Sequence, residues 1–547
     1  VWRRIKKEEI LIVIRRRTNM VDLLIRNAKL VDGTGAPWQM GDLAVKDGKI
    51  VAVGCIPDLE AVETIDAQGK VLSPGFIDIH SHSDFAISGV PFAESRVLQG
   101  VTTEIGGDCG MSAAPVNPEN VQLLKRYIGF LDTGADFTWN SFGEYLDTME
   151  KFPYSVNYGG MVGHGTIRLA VMGFDDRKPT LDELSAMQKL AAESMQGGAF
   201  GMSSGLIYPP GCYADVDELA DVSKAIAPYR GIYESHMRDE GDGVLDSVKE
   251  TIEVGRRAKI PVQIVHHKIT GRKNWRIMGQ ATLACVEAAR REGIDVTLDQ
   301  YPYIASATTL TSMLPKWTFV GGMDAMIERL QTPELRNKIK GEILNSFAKS
   351  LRRFSDIVIA DIPSEQNKRF IGKNVQEIAK ILCKEPVDAA LDLMIEEKGN
   401  INQITYGMCE EDVEMIMKHP FVMIGSDGSS LPLTGNDKPH PRNFGTFPRV
   451  LGHYSRERQL FSLETAIWKM TGFPAARLGL QQRGLLRPGF YADLVLFDPE
   501  TIIDTPTFLE PKQACEGIER VYVNGILTAK NGKHTGAQAG KILRKGK

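Results

Sequence analysis

The feature that most constrains this chain is a series of short apolar runs ending in residues able to hold a metal or carry a proton. The first is Pro74-Gly75-Phe76-Ile77-Asp78-Ile79-His80-Ser81-His82-Ser83-Asp84. In a strand, residues i and i+2 share a face, so the imidazoles of His80 and His82 would converge on one point. Two nitrogen ligands at the end of a buried strand begin a metal site. Two surface histidines after a core strand are the competing reading. Later runs lead to Cys109 in GGDCGMS, His236 in IYESHMRDE, His266 in VQIVHHK and Asp427 in MIGSDGSS. The chain has only ten histidines, and four of them fall at such ends, which favours one joint site over scattered structural histidines.

The runs themselves read as strands: 76–80, 101–105, 156–162, 199–203, 232–235, 262–265, 294–298 and 422–425. Amphipathic helices lie between several of them. Thr180-Leu181-Asp182-Glu183 is a capping box ahead of apolar residues at helical spacing, and Gly197-Gly198 ends that run. Segments 242–259, 281–292 and 463–478 also fit helices. Eight strands alternating with helices predict an α/β fold, a parallel (β/α)₈ TIM-like barrel over 74–479. Catalytic groups of such barrels sit at the C-terminal strand ends, where these residues lie. A doubly wound sheet is the runner-up, but no Gly-rich phosphate loop follows an early strand. The region exceeds a minimal barrel, mainly between Asp299 and Val422. An insertion over about 300–361 is expected to form a lid.

At both ends the pattern changes to hairpins. Asp32-Gly33, Asp47-Gly48, Gln68-Gly69, Asn524-Gly525 and Asn531-Gly532 punctuate alternating apolar and polar residues. Segments 20–73 and 480–530 are therefore expected to combine into one small β-sandwich domain. Residues 1–19 are basic, with an apolar run of only Ile10–Ile14, and are expected to be a disordered extension outside the fold. Residues 531–547 read as a loose basic tail.

Net charge is −4, so no global attraction to nucleic acid or to a membrane surface is expected. The longest apolar runs fall far short of the ~20 residues of a bilayer span. Seven scattered cysteines without a CxxC point to a reducing, cytoplasmic compartment. The sequence leaves room for a homo-oligomer.

Cys109 as thiolate with His236 and His266 as neutral imidazoles makes an N₂S set suited to Zn²⁺, with a fourth position left for water. Asp427 would then take the water's proton and deliver it to the leaving nitrogen. His80 and His82 could complete a second, weaker site with Asp427 and a bridging Cys109, or stay metal-free and orient water. In His266-His267 only one ring can point inward from the strand end, and His266 is taken as that ring.

The motifs PGFIDIHSHSD, GVTTEIGGDCGMSAAPV, GGAFGMSSGLIYPPGCYADVDEL, YESHMRDE, DQYPYIASATTL, GSDG and HPRNFGTFPRVLG are spread over essentially the whole fold. Together they resemble the amidohydrolase superfamily and, within it, the N-acyl-D-amino-acid deacylase (D-aminoacylase) family. Hydantoinase- and dihydroorotase-like relatives usually bridge two metals with a carboxylated lysine on the fourth strand. AFGMSSG has no lysine here, and the cysteine of GGDCG is diagnostic of the deacylases. The resemblance implies a tighter zinc on Cys109, His236 and His266, with Asp427 as catalytic acid/base. It also implies His80 and His82 beside a second, weakly occupied position. The implied reaction is hydrolysis of a small-molecule N-acyl-D-amino acid to a carboxylate and a free amino acid.

Such a substrate carries an α-carboxylate. Lys268 and Arg442 are the candidate cations, with Tyr301, Tyr303 and Ser306 as hydroxyl donors. Two other readings stand beside this one. One is a dihydroorotase- or hydantoinase-like hydrolase of cyclic amides or dipeptides. The other is a non-catalytic scaffold that kept the fold, which predicts an eroded ligand set.

Overall fold

The computed structural model describes residues 20–129 and 137–546, so the expected extension 1–19 lies outside the described residues. Eight parallel strands form the barrel: Phe76–Asp78, Val101–Gly106, Asn157–Gly160 (continued by Val162–Gly163), Gly201–Gly205, Ile232–His236, Val262–Ile264, Val296–Gln300 and Val422–Ile424. Every one coincides with an apolar run of the sequence. The strands pair in chain order, with Phe200 N–H donating to the Gly160 carbonyl at 2.9 Å across the third and fourth. The eighth returns to the first, where Asp427 N–H donates to the His80 carbonyl at 2.9 Å. All eight are buried on both faces, so they show no alternation between buried and exposed positions.

Outer helices include Leu181–Gly197, Val216–Lys224, Val244–Ala258 and Met278–Arg291. The Thr180 box forms: its hydroxyl accepts from Glu183 N–H, and the Glu183 carboxylate accepts from Thr180 N–H at 2.8 Å. Gly198, at φ 116°, ends that helix in a conformation that favours glycine. The helix expected over 463–478 is two helices, Leu463–Met470 and Gly472–Leu478. The chain breaks where Gly472 packs against Gly33, whose carbonyl oxygen would lie 2.1 Å from any Cβ.

The terminal segments share one nine-stranded sheet. Its junction is the antiparallel pairing of Val71–Pro74 with Leu494–Phe497, over a common core of Leu23, Ile25, Leu43, Leu72, Leu494 and Tyr522. Both residues of Asp47-Gly48, Asn524-Gly525 and Asn531-Gly532 have positive φ, as tight hairpin turns require.

Between the seventh and eighth barrel strands the chain builds a unit with its own core, including Leu310, Phe319, Ile343, Ile359 and Leu391. The insertion does not stop near 361. Strand Asn402–Thr405 lies between Ser306–Thr309 and Ile357–Asp361, so the small sheet closes only after the helices Val375–Leu382 and Pro386–Glu396. The C-terminal segment is not loose either. Leu543 N–H donates to the Tyr158 carbonyl at 2.6 Å and Lys545 N–H to that of Gly198 at 3.0 Å. Arg544 pairs with Asp147 at 2.7 Å and Glu150 at 3.0 Å. Its basic residues look solvated in sequence because these acidic partners lie some 400 positions away.

Candidate metal centre

Cys109, His266 and Asp427 share an unusual backbone. Each follows a barrel strand, and each is a non-glycine residue in the left-handed region, at φ 53°, 36° and 52°. Such conformations cost of order 1–3 kcal/mol each and persist where surrounding structure enforces them. Around Cys109 that enforcement is visible. A Cβ on Gly107 would sit 2.0 Å from the Met161 carbonyl oxygen, and one on Gly110 2.5 Å from the Gly205 nitrogen. The glycine setting of Cys109 is therefore a close backbone packing that aims its thiol into the barrel mouth.

Three ligand atoms converge there. Cys109 Sγ is 3.3 Å from His236 Nδ1 and 3.4 Å from His266 Nε2, and the two nitrogens are 2.9 Å apart. Tetrahedral zinc with ordinary bond lengths needs edges of roughly 3.5 Å for S···N and roughly 3.3 Å for N···N. The triangle matches them after small side-chain shifts. Beside it, His80 Nε2 lies 3.5 Å from both Cys109 Sγ and Asp427 Oδ1, and His82 Nε2 is 3.1 Å from Asp427 Oδ1. Ligand atoms of His80, Cys109, His266 and Asp427 all lie within 4.8 Å of one another.

The charges suit a cation. Burial, reinforced by the Lys268 charge near both rings, holds both imidazoles well below their usual pKa, so both are neutral and able to coordinate. Burial also pushes the Cys109 thiol well up, helped by the nearby Asp427 charge. A divalent cation alongside reverses that and makes a coordinating thiolate. For Asp427, burial acts to raise the pKa, but the Arg442 guanidinium at 2.7 Å and the neighbouring histidines hold it well below the usual carboxylate range. Burial depresses His82 despite the bond to Asp427. In His80 it is outweighed by Asp299, which raises the pKa.

His236, Glu240 and His266 also converge, on the far side of the His266 ring. That position is filled by the Lys268 ammonium, 2.6 Å from Glu240 Oε1 and 2.6 Å from His266 Nδ1. Glu240 Oε1 accepts from Lys268 and lies 3.1 Å from His266 Nδ1, so ammonium, carboxylate and ring nitrogen form one cluster behind the ring.

The cluster opens into a cavity of about 550 Å³ lined in part by His82, Cys109, His236, His266, Lys268, Tyr301, Ser306, Asp427 and Arg442. His80 is fully buried beneath it. Tyr303 does not line it. The seventh strand ends at Gln300, and both tyrosines lie in the irregular chain beyond it. The Tyr303 ring instead packs edge-on against His440 and Phe508 and beneath Arg449. His267 turns away to Thr282.

Three residues that shape the site were not singled out from sequence. Asp299 is fully buried, accepts from His266 N–H at 2.8 Å and lies 3.3 Å from His80 Nδ1. Glu240 is four residues past His236, and His440 anchors Arg442 by accepting its backbone N–H at 3.0 Å. Asp299 carried a usable signal, a carboxylate at a strand end, directly ahead of the tyrosines that were chosen. Beneath the cluster Asp108 and Glu234 form a buried pair. Burial raises both carboxyls, reinforced by the Glu234 charge on Asp108 and the Asp299 charge on Glu234, so the pair holds a proton.

Comparison with known proteins agrees in fold and family. The amidohydrolase family profile matches residues 63–529. A D-aminoacylase of Alcaligenes xylosoxydans xylosoxydans is 38% identical over 95% of this chain and 97% of its own length. An N-acyl-D-aspartate deacylase of the same organism is 36% identical, over 96% and 95%. The crystal structure of an N-acyl-D-glutamate deacylase from Bordetella bronchiseptica, complexed with zinc and a phosphonate mimic of the tetrahedral intermediate, is similar with a TM-score of 0.81. It is 34% identical, over 96% of this chain and all of that one.

Proposed function

Since the chain belongs to the amidohydrolase family, we propose that it hydrolyses the amide bond of N-acyl-D-amino acids, releasing a carboxylate and a free D-amino acid, with zinc as its metal. The observation that carries this reading is the convergence of Cys109, His236 and His266 to 2.9–3.4 Å beside an ionised Asp427 at the mouth of the barrel. The fourth strand, Gly201–Gly205, has no lysine, which counts against a hydantoinase-like site. The intact ligand set counts against a scaffold without chemistry.

In this reading Cys109, His236 and His266 would hold the tighter zinc, and His80, His82 and Asp427 would border a second, weaker position. Zinc, when bound, supplies Lewis acidity that acidifies water and polarises an amide carbonyl. Asp427, kept in its base form by Arg442, accepts a proton from the attacking water and returns it to the departing amine. The substrate's α-carboxylate goes to Arg442 and Tyr301. Arg442 Nε and the Tyr301 hydroxyl are buried and lack hydrogen-bond partners among the described residues. Lys268, tied to Glu240, serves His266 first and the substrate second. Ser306 and the rest of the inserted unit roof the cavity and exclude water around the scissile bond. No helix among the described residues is long and apolar enough to cross a membrane. The seven unpaired cysteines fit a cytoplasmic setting.

The test is metal analysis combined with release of free amino acid from paired D and L N-acetyl amino acids. Bound zinc with release from the D series is expected. Bound zinc without turnover of any acylated amino acid would revive the scaffold reading, and release from L substrates alone would overturn the D preference.

A further inference from the structure

At the N-terminal ends of the barrel strands, opposite the metal cluster, lies a second cavity of about 720 Å³. Its wall includes Ile232, Pro261 and Phe421, which stand at or just before the starts of the fifth, sixth and eighth strands. Four cations line it, Arg230, Arg290, Arg477 and Lys545, against one carboxylate, Asp295. That carboxylate is already used twice. Its Oδ1 accepts from Arg290 at 3.1 Å and its Oδ2 from Arg477 at 3.0 Å. Among the described residues, neither Arg230 nor Lys545 forms an ion pair.

Two of these cations are partly or wholly withdrawn from water. Arg477, on the helix Gly472–Leu478, has a side chain only 4% exposed. One end of its guanidinium donates to the Val262 carbonyl, but its buried Nε has no hydrogen-bond partner among the described residues. The half-buried Lys545 makes one ammonium hydrogen bond, to the Leu478 carbonyl at 3.1 Å. An ammonium carries three donors, so two are left for a ligand. Burial and the charges of Arg477 and Arg230 together push the Lys545 pKa down. Glu234 also acts on Arg477 from inside the barrel, but it belongs to the proton-holding pair beneath the metal cluster. Like charges gathered in a poorly solvated place are unfavourable without a counter-ion, and an anion entering the cavity removes that cost.

The donors come from separate parts of the chain and are held in place. Lys545 is fixed by its own N–H, which donates to the Gly198 carbonyl at 3.0 Å. Arg290 lies over the Phe421 ring at 4.2 Å and donates to the Val296 carbonyl at 2.7 Å. Trp468 and Phe473, stacked at 4.6 Å, complete the wall. The geometry points to a binding site for a small multivalent oxyanion at the base of the barrel, with Arg477, Lys545 and Arg230 as its donors. Guanidinium and ammonium groups in this number suit phosphoryl or carboxylate oxygens. Sugar phosphates and tricarboxylates share that chemistry. Bound there, the anion ties the C-terminal segment to the helix Gly472–Leu478 without entering the metal-lined cavity.

The experiment is isothermal titration of the zinc-loaded full chain with glucose 1,6-bisphosphate and with tricarballylate, at fixed ionic strength, with glucose as the neutral control. Wild type is set beside Lys545→Gln, Arg230→Gln and Lys316→Gln, the last removing a cation of the metal-lined cavity. One saturable site per chain is expected for at least one of the anions, and none for glucose. The tighter of the two anions identifies the source. Loss of a charge-assisted hydrogen bond should weaken binding about 10-fold or more in Lys545→Gln. The exposed Arg230 should contribute about 2- to 5-fold, and because it has no partner in the fold its replacement leaves the structure intact. Lys316→Gln should bind as wild type does. Absence of saturable binding for both anions, binding that survives both base variants, or binding lost in Lys316→Gln overturns the proposal.

Discussion

Asp299→Asn separates the supporting carboxylate of the site from its ligands. The side chain is fully buried, and its two oxygens do different things. Oδ1 accepts from His266 N–H at 2.8 Å and lies 3.3 Å from His80 Nδ1, while Oδ2 accepts from Gln263 Nε2 at 2.7 Å. Asparagine has the same shape. With its oxygen toward His266 the backbone bend is kept, and the new NH₂ meets Gln263 Nε2. Gln263 must then flip, giving up the hydrogen bond its Oε1 accepts from Thr297 at 3.3 Å, a cost of about 1 kcal/mol. The larger effect is on charge. His80 loses its anionic partner, and losing a carboxylate behind a ligating histidine typically lowers metal affinity about 10- to 100-fold. That loss should fall on the weaker position bordered by His80, because His236 and Cys109 do not touch Asp299. Zinc titration against a graded series of chelators reads both affinities. The expected result is a weak-site affinity reduced by one to two decades with the tight site within about threefold. Equal weakening of both sites, or of neither, would refute the assignment of Asp299 to His80.

Cys109→Ala should strip the tight zinc and abolish turnover, while His82→Ala should cripple turnover and leave one zinc bound; metal analysis of the purified variants decides both. Asp427→Asn should retain the tight zinc but lose about 10²- to 10⁴-fold in kcat, and a variant within threefold of wild type would remove Asp427 from proton transfer. Lys469 tests the barrel floor. Burial lowers its pKa to about 7, and its amine donates to the carbonyls of His419 and Val422, each at 2.7 Å, which a neutral amine with two N–H groups satisfies. The unfolded lysine keeps its proton up to about 10.4, so it binds more protons than the folded one between these values. This residue's contribution to stability therefore rises with pH from about 7 and is smallest below it. Lys469→Met should cost about 1–3 kcal/mol at pH 9.5 by leaving two carbonyls unpaired, and less at pH 6. Denaturant melts at the two pH values measure this, and a cost that grows toward acid would contradict it.

The barrel and the side-chain cluster at its mouth were legible for one physical reason. A parallel strand buried on both faces shows no alternation with exposed positions, so histidine, cysteine and aspartate at or just past its end stand out, even though the strands carry buried polar residues such as Glu104, Glu234 and Gln263. His80, Cys109, His236, His266 and Asp427 each do so. Two expectations failed outside such strands. Tyr303 was expected at the cavity with Tyr301, but both lie past Gln300, where the strand stops, and only Tyr301 reaches it. The helical spacing across 463–478 hid a break imposed by Gly33, more than four hundred residues earlier in the chain. The roles of Asp299 and Glu240 were illegible because each depends on which ring nitrogen of a distant histidine it faces. The docking of Arg544 on Asp147 and Glu150 likewise depends on partners that no local pattern announces.

The antiparallel join of Val71–Pro74 with Leu494–Phe497 also sets a clock for biosynthesis. The first strand of that pair leaves the ribosome about 420 residues before its partner, a delay of roughly 20–80 s at ordinary elongation rates. Through that interval the N-terminal strands have an open edge beside Val71–Pro74 and an incomplete core under Leu23, Ile25 and Leu72. The barrel between them can assemble first, as a unit with mostly sequential strand pairings. The nascent chain therefore carries its most association-prone surface at its leading end, and only completion of the last strands covers it.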